Sequence, residues 1–142
     1  MSSYRRSAAA GAVAAGVWAL AEPLDRRAFR YDYSDVALLG KAVTRGQHWR
    51  GAGVAMHVLN GAVFGVAFEA ASRELDIGRR RLALGMALLE HVGLFPLGYF
   101  VDRYHPARGE PGVPPLLRSP RAFAQASWRH AVFGVVLGRL AA

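Results

Sequence analysis

The stretch GAGVAMHVLNGAVFGVAF, residues 51–68, decides the fold class, because none of its 18 side chains is an Asp, Glu, Lys or Arg. About 20 mostly apolar residues in a helix span the hydrocarbon of a bilayer. A helix on the outside of a water-soluble bundle carries instead a charged face opposite its apolar stripe. Residues 51–68 have no such face. The segment therefore reads as a membrane span from Gly51 to about Ala71, and not as one helix of a soluble bundle with an apolar core.

Three further apolar segments lie around it. The first runs from Ser7 to Ala21, is rich in Ala and Gly, and ends near Glu22-Pro23, with room to extend through Pro23 toward Phe29. The others run from Leu82 to about Val101 and from Ala122 to about Leu140, with one charge each, Glu90 and Arg129. The expected fold is all-α: a four-helix transmembrane bundle in a single domain over residues 1–142, with spans at about 7–23, 51–71, 82–102 and 122–140. Pro96 is expected to kink the third span. The expected location is the cell inner (plasma) membrane, with several passes. Arg5-Arg6 followed by Ala19-Leu20-Ala21 also fits a cleaved signal peptide. Three more spans favour a retained first helix.

Between the first two spans, Asp32-Tyr33-Ser34-Asp35 has the form of a helix start, with Ser34 as N-cap and Asp35 in the first turn. Val36, Leu39 and Val43 then share one face, and Gly46 can end the helix. The spacing predicts a short amphipathic helix lying at the interface, followed by Trp49 as an interfacial anchor. The loop from Arg103 to Arg121 holds five of the seven prolines. It is expected to be extended and without regular structure.

The formal net charge of +8 does not point to nucleic acid. The arginines cluster at the ends of the apolar runs: Arg5 and Arg6, Arg26 and Arg27, Arg79 to Arg81, Arg118 and Arg121. Such positions anchor helices at lipid headgroups. No basic stripe interleaved with aromatics is present. The expected partner is the lipid bilayer. Cysteine is absent, which removes disulfides, thiolate metal sites and cysteine nucleophiles. The N-terminus, the second loop and the C-terminus share one side of the membrane. Counting Lys and Arg favours the opposite side as cytoplasmic, whereas charge density and the first helix favour a cytoplasmic N-terminus, the orientation adopted.

Lipid provides no hydrophobic push between helices, so close backbone contact must hold them. Gly61-x-x-x-Gly65, Gly134-x-x-x-Gly138, and Gly11 with Ala15 place small residues on one face each. Packing within the chain is expected, and the same faces suit a homo-oligomer.

Strongly polar residues inside a span cost about 2.5–3.5 kcal/mol at its centre and should face the interior. The candidates are His57 and Asn60 in the second segment, Glu90 and His91 in the third, and Ser127, Arg129 and His130 in the fourth. Glu22, Asp102 and His105 stand at span ends. Counting residues places most of them on the half facing the first and third loops, with Glu90 and His91 near the midplane. Arg129 needs a carboxylate, expected to be Glu22 or Asp102. The cluster as a whole is either an ion-paired core or a site for a metal, a proton or a small ligand. Asp102-x-x-His105 is the nearest approach to a ligand spacing. His57 and His130, on parallel-running spans, are also a candidate axial pair for haem. No G-x-S-x-G, P-loop or G-x-G-x-x-G occurs. The preferred role is therefore structural or interactive. Metal, haem or proton handling comes second, and a small enzyme working at lipid headgroups with Glu22, Asp102 and His105 third. No particular cofactor is implied.

Trp18-Ala-Leu-Ala-Glu22-Pro23, Asp32-Tyr33-Ser34-Asp35, His57-Val-Leu-Asn60-Gly61, Asp102-Arg-Tyr-His105-Pro106 and Trp128-Arg129-His130 together resemble a group of small, uncharacterised four-helix integral membrane proteins of high-GC bacteria. The resemblance spans nearly the whole chain. It implies an inner-membrane location and carries no activity, substrate or cofactor. The abundance of Ala, Gly and Arg beside a single Lys fits a high-GC genome.

Overall fold

A computed structural model describes residues 2–142, and every regular element among them is helical. In chain order these are α1 (Ser3–Phe29), α2 (Asp35–Val43), α3 (Trp49–Glu74), α4 (Arg79–Leu94), α5 (Gly98–Tyr104) and α6 (Pro120–Leu140). A 3₁₀ turn, Phe95–Leu97, joins α4 to α5 at Pro96. That turn is where the missing proline N–H interrupts the α ladder. Three helices are long and apolar enough to cross a membrane: Ser3–Phe29, Trp49–Glu74 and the rod Arg79–Tyr104. The remaining long helix, α6, carries Gln125, Ser127, Arg129 and His130 along its length.

The first helix does not end at Pro23. It continues to Phe29 and stops at Arg30, which adopts the left-handed conformation (φ 50°). The two further turns carry Asp25 into the interior beside Glu22. The buried residues of α1, including Ser7, Gly11, Ala14, Trp18, Glu22 and Asp25, recur every three or four positions.

Helix α1 packs against α3 on one side and α6 on the other, and α4 packs on α6. The α1–α3 contact is made backbone to backbone. A Cβ at Gly11 would lie 2.0 Å from the Gly61 carbonyl oxygen, and one at Gly65 would lie 2.0 Å from that of Ser7. Gly134 and Gly138 face α4 in a similar way. All these small-residue faces are thus filled from within the chain. Consecutive α3 and α4 touch little, which leaves a gap between them.

Two expectations for the loops need correction. Helix α2 begins as expected, with the Ser34 hydroxyl accepting from the Ala37 N–H at 3.0 Å. Its buried face, however, is Ala37 and Gly40, while Val43 is exposed. A Cβ at Gly40 would lie 1.9 Å from the Trp49 carbonyl oxygen. The helix is therefore clamped onto the start of α3 through its small residues. The proline-rich loop is likewise packed and not merely extended. Ala107, Val113 and Leu116 are buried. Glu110 pairs with Lys41 at 3.3 Å and with Arg45. The Ser34 N–H donates to the Gly112 carbonyl at 3.0 Å. The first and third loops thus close together over one end of the helices.

Candidate functional site

Beneath that cap lies Arg129, 2% exposed. Its fork meets Asp25 twice, Nε to Oδ2 at 2.7 Å and Nη2 to Oδ1 at 2.6 Å. Nη1 donates to Asp35 Oδ2 at 2.7 Å, and Nη2 also reaches the Tyr33 carbonyl at 2.8 Å. Glu22 Oε1 stands 3.6 Å from Nη1. The expected Glu22 partner is present, but Asp25 and Asp35 carry the closest contacts. Planar bidentate recognition of this kind suits arginine and not lysine.

Three carboxylates around one guanidinium leave excess negative charge, and neutral donors offset it. Glu22 accepts from the Ser34 hydroxyl (2.6 Å) and from the N–H groups of Asp35 (2.7 Å) and Val36 (3.3 Å). These are first-turn donors of α2 that lack helical partners, at the positive end of its dipole. Gln125 donates to Asp25 at 2.7 Å, and the Trp18 indole to Asp35 at 3.1 Å. Burial would raise the Asp35 carboxyl, but Arg129 and the Tyr33 hydroxyl together hold it below the usual carboxylate range. Burial and the Asp35 charge push the Tyr33 phenol well above its ordinary value, so it stays protonated and donates to Asp35.

Beside this cluster a cleft of about 230 Å³ occupies the gap between α3 and α4. Trp18, Asp35, His57, Asn60, Glu90 and His130 line its polar part. His57 is 7% exposed, and its Nε2 has no hydrogen-bond partner. Both the His57 and His130 rings pack edge-on to Trp18, with centroids 4.9 and 4.7 Å away. The indole is therefore the common wall of the two imidazoles that the sequence offered as an axial pair. His130 Nδ1 donates to the Ala126 carbonyl at 2.8 Å, and its Nε2 stands 3.8 Å from Glu90 Oε2.

The other expected residues lie elsewhere. His91 lies tilted against His130, centroids 4.9 Å apart, and donates through Nε2 to the Ser127 hydroxyl at 2.8 Å, which itself donates to the Phe123 carbonyl. Asp102 does not meet Arg129. It accepts from the Leu116 and Leu117 N–H groups at 2.7 and 3.0 Å and so fixes the third loop. His105 uses both ring nitrogens there, Nε2 on the Leu38 carbonyl (2.9 Å) and Nδ1 on the Ala107 N–H (3.0 Å). Glu22, Asp102 and His105, the expected headgroup-facing trio, are thus each engaged in separate structural contacts. Among the described residues no three His, Asp or Glu side chains converge as a set that would hold a metal ion.

Sequence reasoning missed Asp25, Asp35 and Trp18 as site residues. The spacing Trp18, Glu22, Asp25 (four, then three) would have exposed Trp18 and Asp25 once the helix was carried past Pro23. It also missed a second ionic knot at the opposite end. Glu69, buried, accepts from Ser7 at 2.8 Å and Arg79 at 2.7 Å, and Arg79 also donates to the Ala141 carbonyl at 2.8 Å. Arg79 is therefore a clamp between helices, whereas the sequence placed it at lipid headgroups.

No protein-family model, curated protein or solved structure matches the chain.

Proposed function

We propose that the chain is a multi-pass protein of the inner membrane, a four-helix transmembrane bundle that works as a binding unit and performs no chemistry of its own. The observation that carries this reading is the inversion of polarity across the helices. Leu20 and Leu89, near the middle of long apolar helices, are 83% and 73% exposed, while Gln125 and Arg129 are buried. In water that pattern would leave apolar side chains exposed along several helices. In a bilayer it places apolar side chains in lipid and polar groups where they find partners.

Helix α6 joins the three apolar helices as the fourth span in this reading. Within the helix Gln125 and Arg129 face Asp25 of α1, His130 lines the cleft, and Arg129 is satisfied by carboxylates. The glycine faces are spent within the chain, which supports a self-contained bundle. A binding role is favoured over catalysis because Arg129, Asp25, Glu22, Asp102 and His105 are saturated by structural contacts. His57, Asn60, Glu90 and His130 face open space in the cleft.

Alkaline carbonate extraction of membranes carrying the full chain tests the location. The chain is expected to stay with the membrane pellet. Release into the supernatant would overturn the reading.

A further inference from the structure

Acceptors dominate the cleft wall, where the Asn60 amide is the side chain that can also donate. His57 lines the cleft, and its Nε2 is buried without a hydrogen-bond partner. His130 spends its Nδ1–H on the Ala126 carbonyl, so its Nε2 is a lone pair in the neutral ring. That nitrogen faces the Glu90 carboxylate at 3.8 Å. Glu90 accepts no hydrogen bond from any described residue and has no Lys or Arg within salt-bridge distance. A donor placed between the neutral ring and the carboxylate would satisfy both.

The electrostatics point the same way. The cleft also touches Asp35, part of a cluster in which Glu22, Asp25 and Asp35 surround a single arginine. An anionic headgroup would meet carboxylates there and no free cation. A bare metal ion finds no set of three ligands among the described residues. Glu90 is eleven residues from Arg79 along the rod, about 17 Å at helical rise. That places Glu90 near the middle of the rod Arg79–Tyr104. Trp18, Phe64 and Leu94 add aromatic and apolar surface to the same lining.

We propose that this cleft binds a small lipid-soluble organic ammonium, whose N–H groups are taken by Glu90, His130 Nε2 and His57 Nε2 while its apolar body lies against Trp18 and Phe64. The ligand enters sideways through the gap between α3 and α4. The inference rests on the membrane-embedded cleft proposed above, and it adds the ligand class. Charge-assisted hydrogen bonds supply the selectivity over neutral compounds of the same shape.

The test is calorimetric titration of the purified full chain in lipid nanodiscs with benzylammonium. Benzyl alcohol and benzoate serve as the neutral and anionic probes of similar shape. Saturable binding of benzylammonium is expected, at least about tenfold tighter than benzyl alcohol, a difference of about 1.4 kcal/mol. Glu90→Gln, which keeps the shape, should remove most of that preference, and His57→Phe should weaken binding with the fold intact. Equal binding of the alcohol, or a Glu90→Gln variant with unchanged preference, overturns the ammonium assignment and leaves a binding cleft of other chemistry. Absence of saturable binding by all three probes overturns the ammonium assignment and the binding role together. The comparison among probes on the unaltered chain needs no variant to fold.

Discussion

Arg129→Met is expected to destabilise the folded chain by about 3–5 kcal/mol, the usual cost of removing one partner from a buried ion pair. The substitution keeps much of the volume and removes the charge. Asp25 would lose both of its guanidinium bonds and Asp35 its closest cation. Glu22 would keep the α2 N-terminus, because its bonds to Ser34 and the Asp35 and Val36 amides do not depend on the arginine. The damage should therefore centre on Asp25. Adding Asp25→Asn to Arg129→Met should restore part of the loss, since a neutral amide can stay with Gln125. Thermal or denaturant unfolding of the full chain in detergent measures both. A loss below about 1 kcal/mol in the single variant would mean that the cluster is solvated and does not lock the helices.

The second large effect is expected at Gly11. A Cβ there would meet the Gly61 carbonyl oxygen at 2.0 Å and the Gly65 nitrogen at 3.1 Å. Both are backbone atoms of α3, so no side chain can swing aside and the two helices must separate. Gly11→Ala should cost about 1–3 kcal/mol as an overpacked contact, and Gly11→Val more. That loss runs against helix propensity, which favours alanine over glycine by about 1 kcal/mol. Gly16 supplies the control on the same helix, because nothing lies within 4 Å of its Cβ position. Gly16→Ala should be neutral or mildly stabilising in the same unfolding measurement. Equal effects at the two positions would show that α1 and α3 do not touch through Gly11.

The contrast between these two sites bears on how much could be read from the sequence. Apolar length and the missing charged face of residues 51–68 made the helices legible, and Gly61-x-x-x-Gly65 made one packing face legible. The partner of that face was not, because any of several small-residue stripes would fit it. Arg129 was legible as a buried charge that needs carboxylates. Glu22 was among the expected partners and stands 3.6 Å away, whereas Asp25 was left out because the span was counted to Pro23 although the helix had room to run on toward Phe29. Asp35 was read as a helix-start residue, and it is one. Its second use, as a ligand to the guanidinium, depends on α2 being clamped to α3 through Gly40, a tertiary fact without a local signature. Asp102 and His105 looked like site residues because polar residues near spans draw attention. Their bonds go to amides and a carbonyl of the first and third loops, and backbone groups leave no mark in a sequence.

In the proposed arrangement the bundle crosses the membrane four times, with the first and third loops closed together on one side. The chain has no native cysteine, so single cysteines report sidedness without background. Gln47→Cys, Asp76→Cys, Arg118→Cys and Ala142→Cys fall at exposed positions in the first loop, the second loop, the third loop and the C-terminus. With a membrane-impermeant maleimide on intact cells, Gln47→Cys and Arg118→Cys should label, while Asp76→Cys and Ala142→Cys should label only after the membrane is opened. Labelling of all four alike, or of Gln47→Cys and Arg118→Cys from opposite sides, would contradict the four-span arrangement.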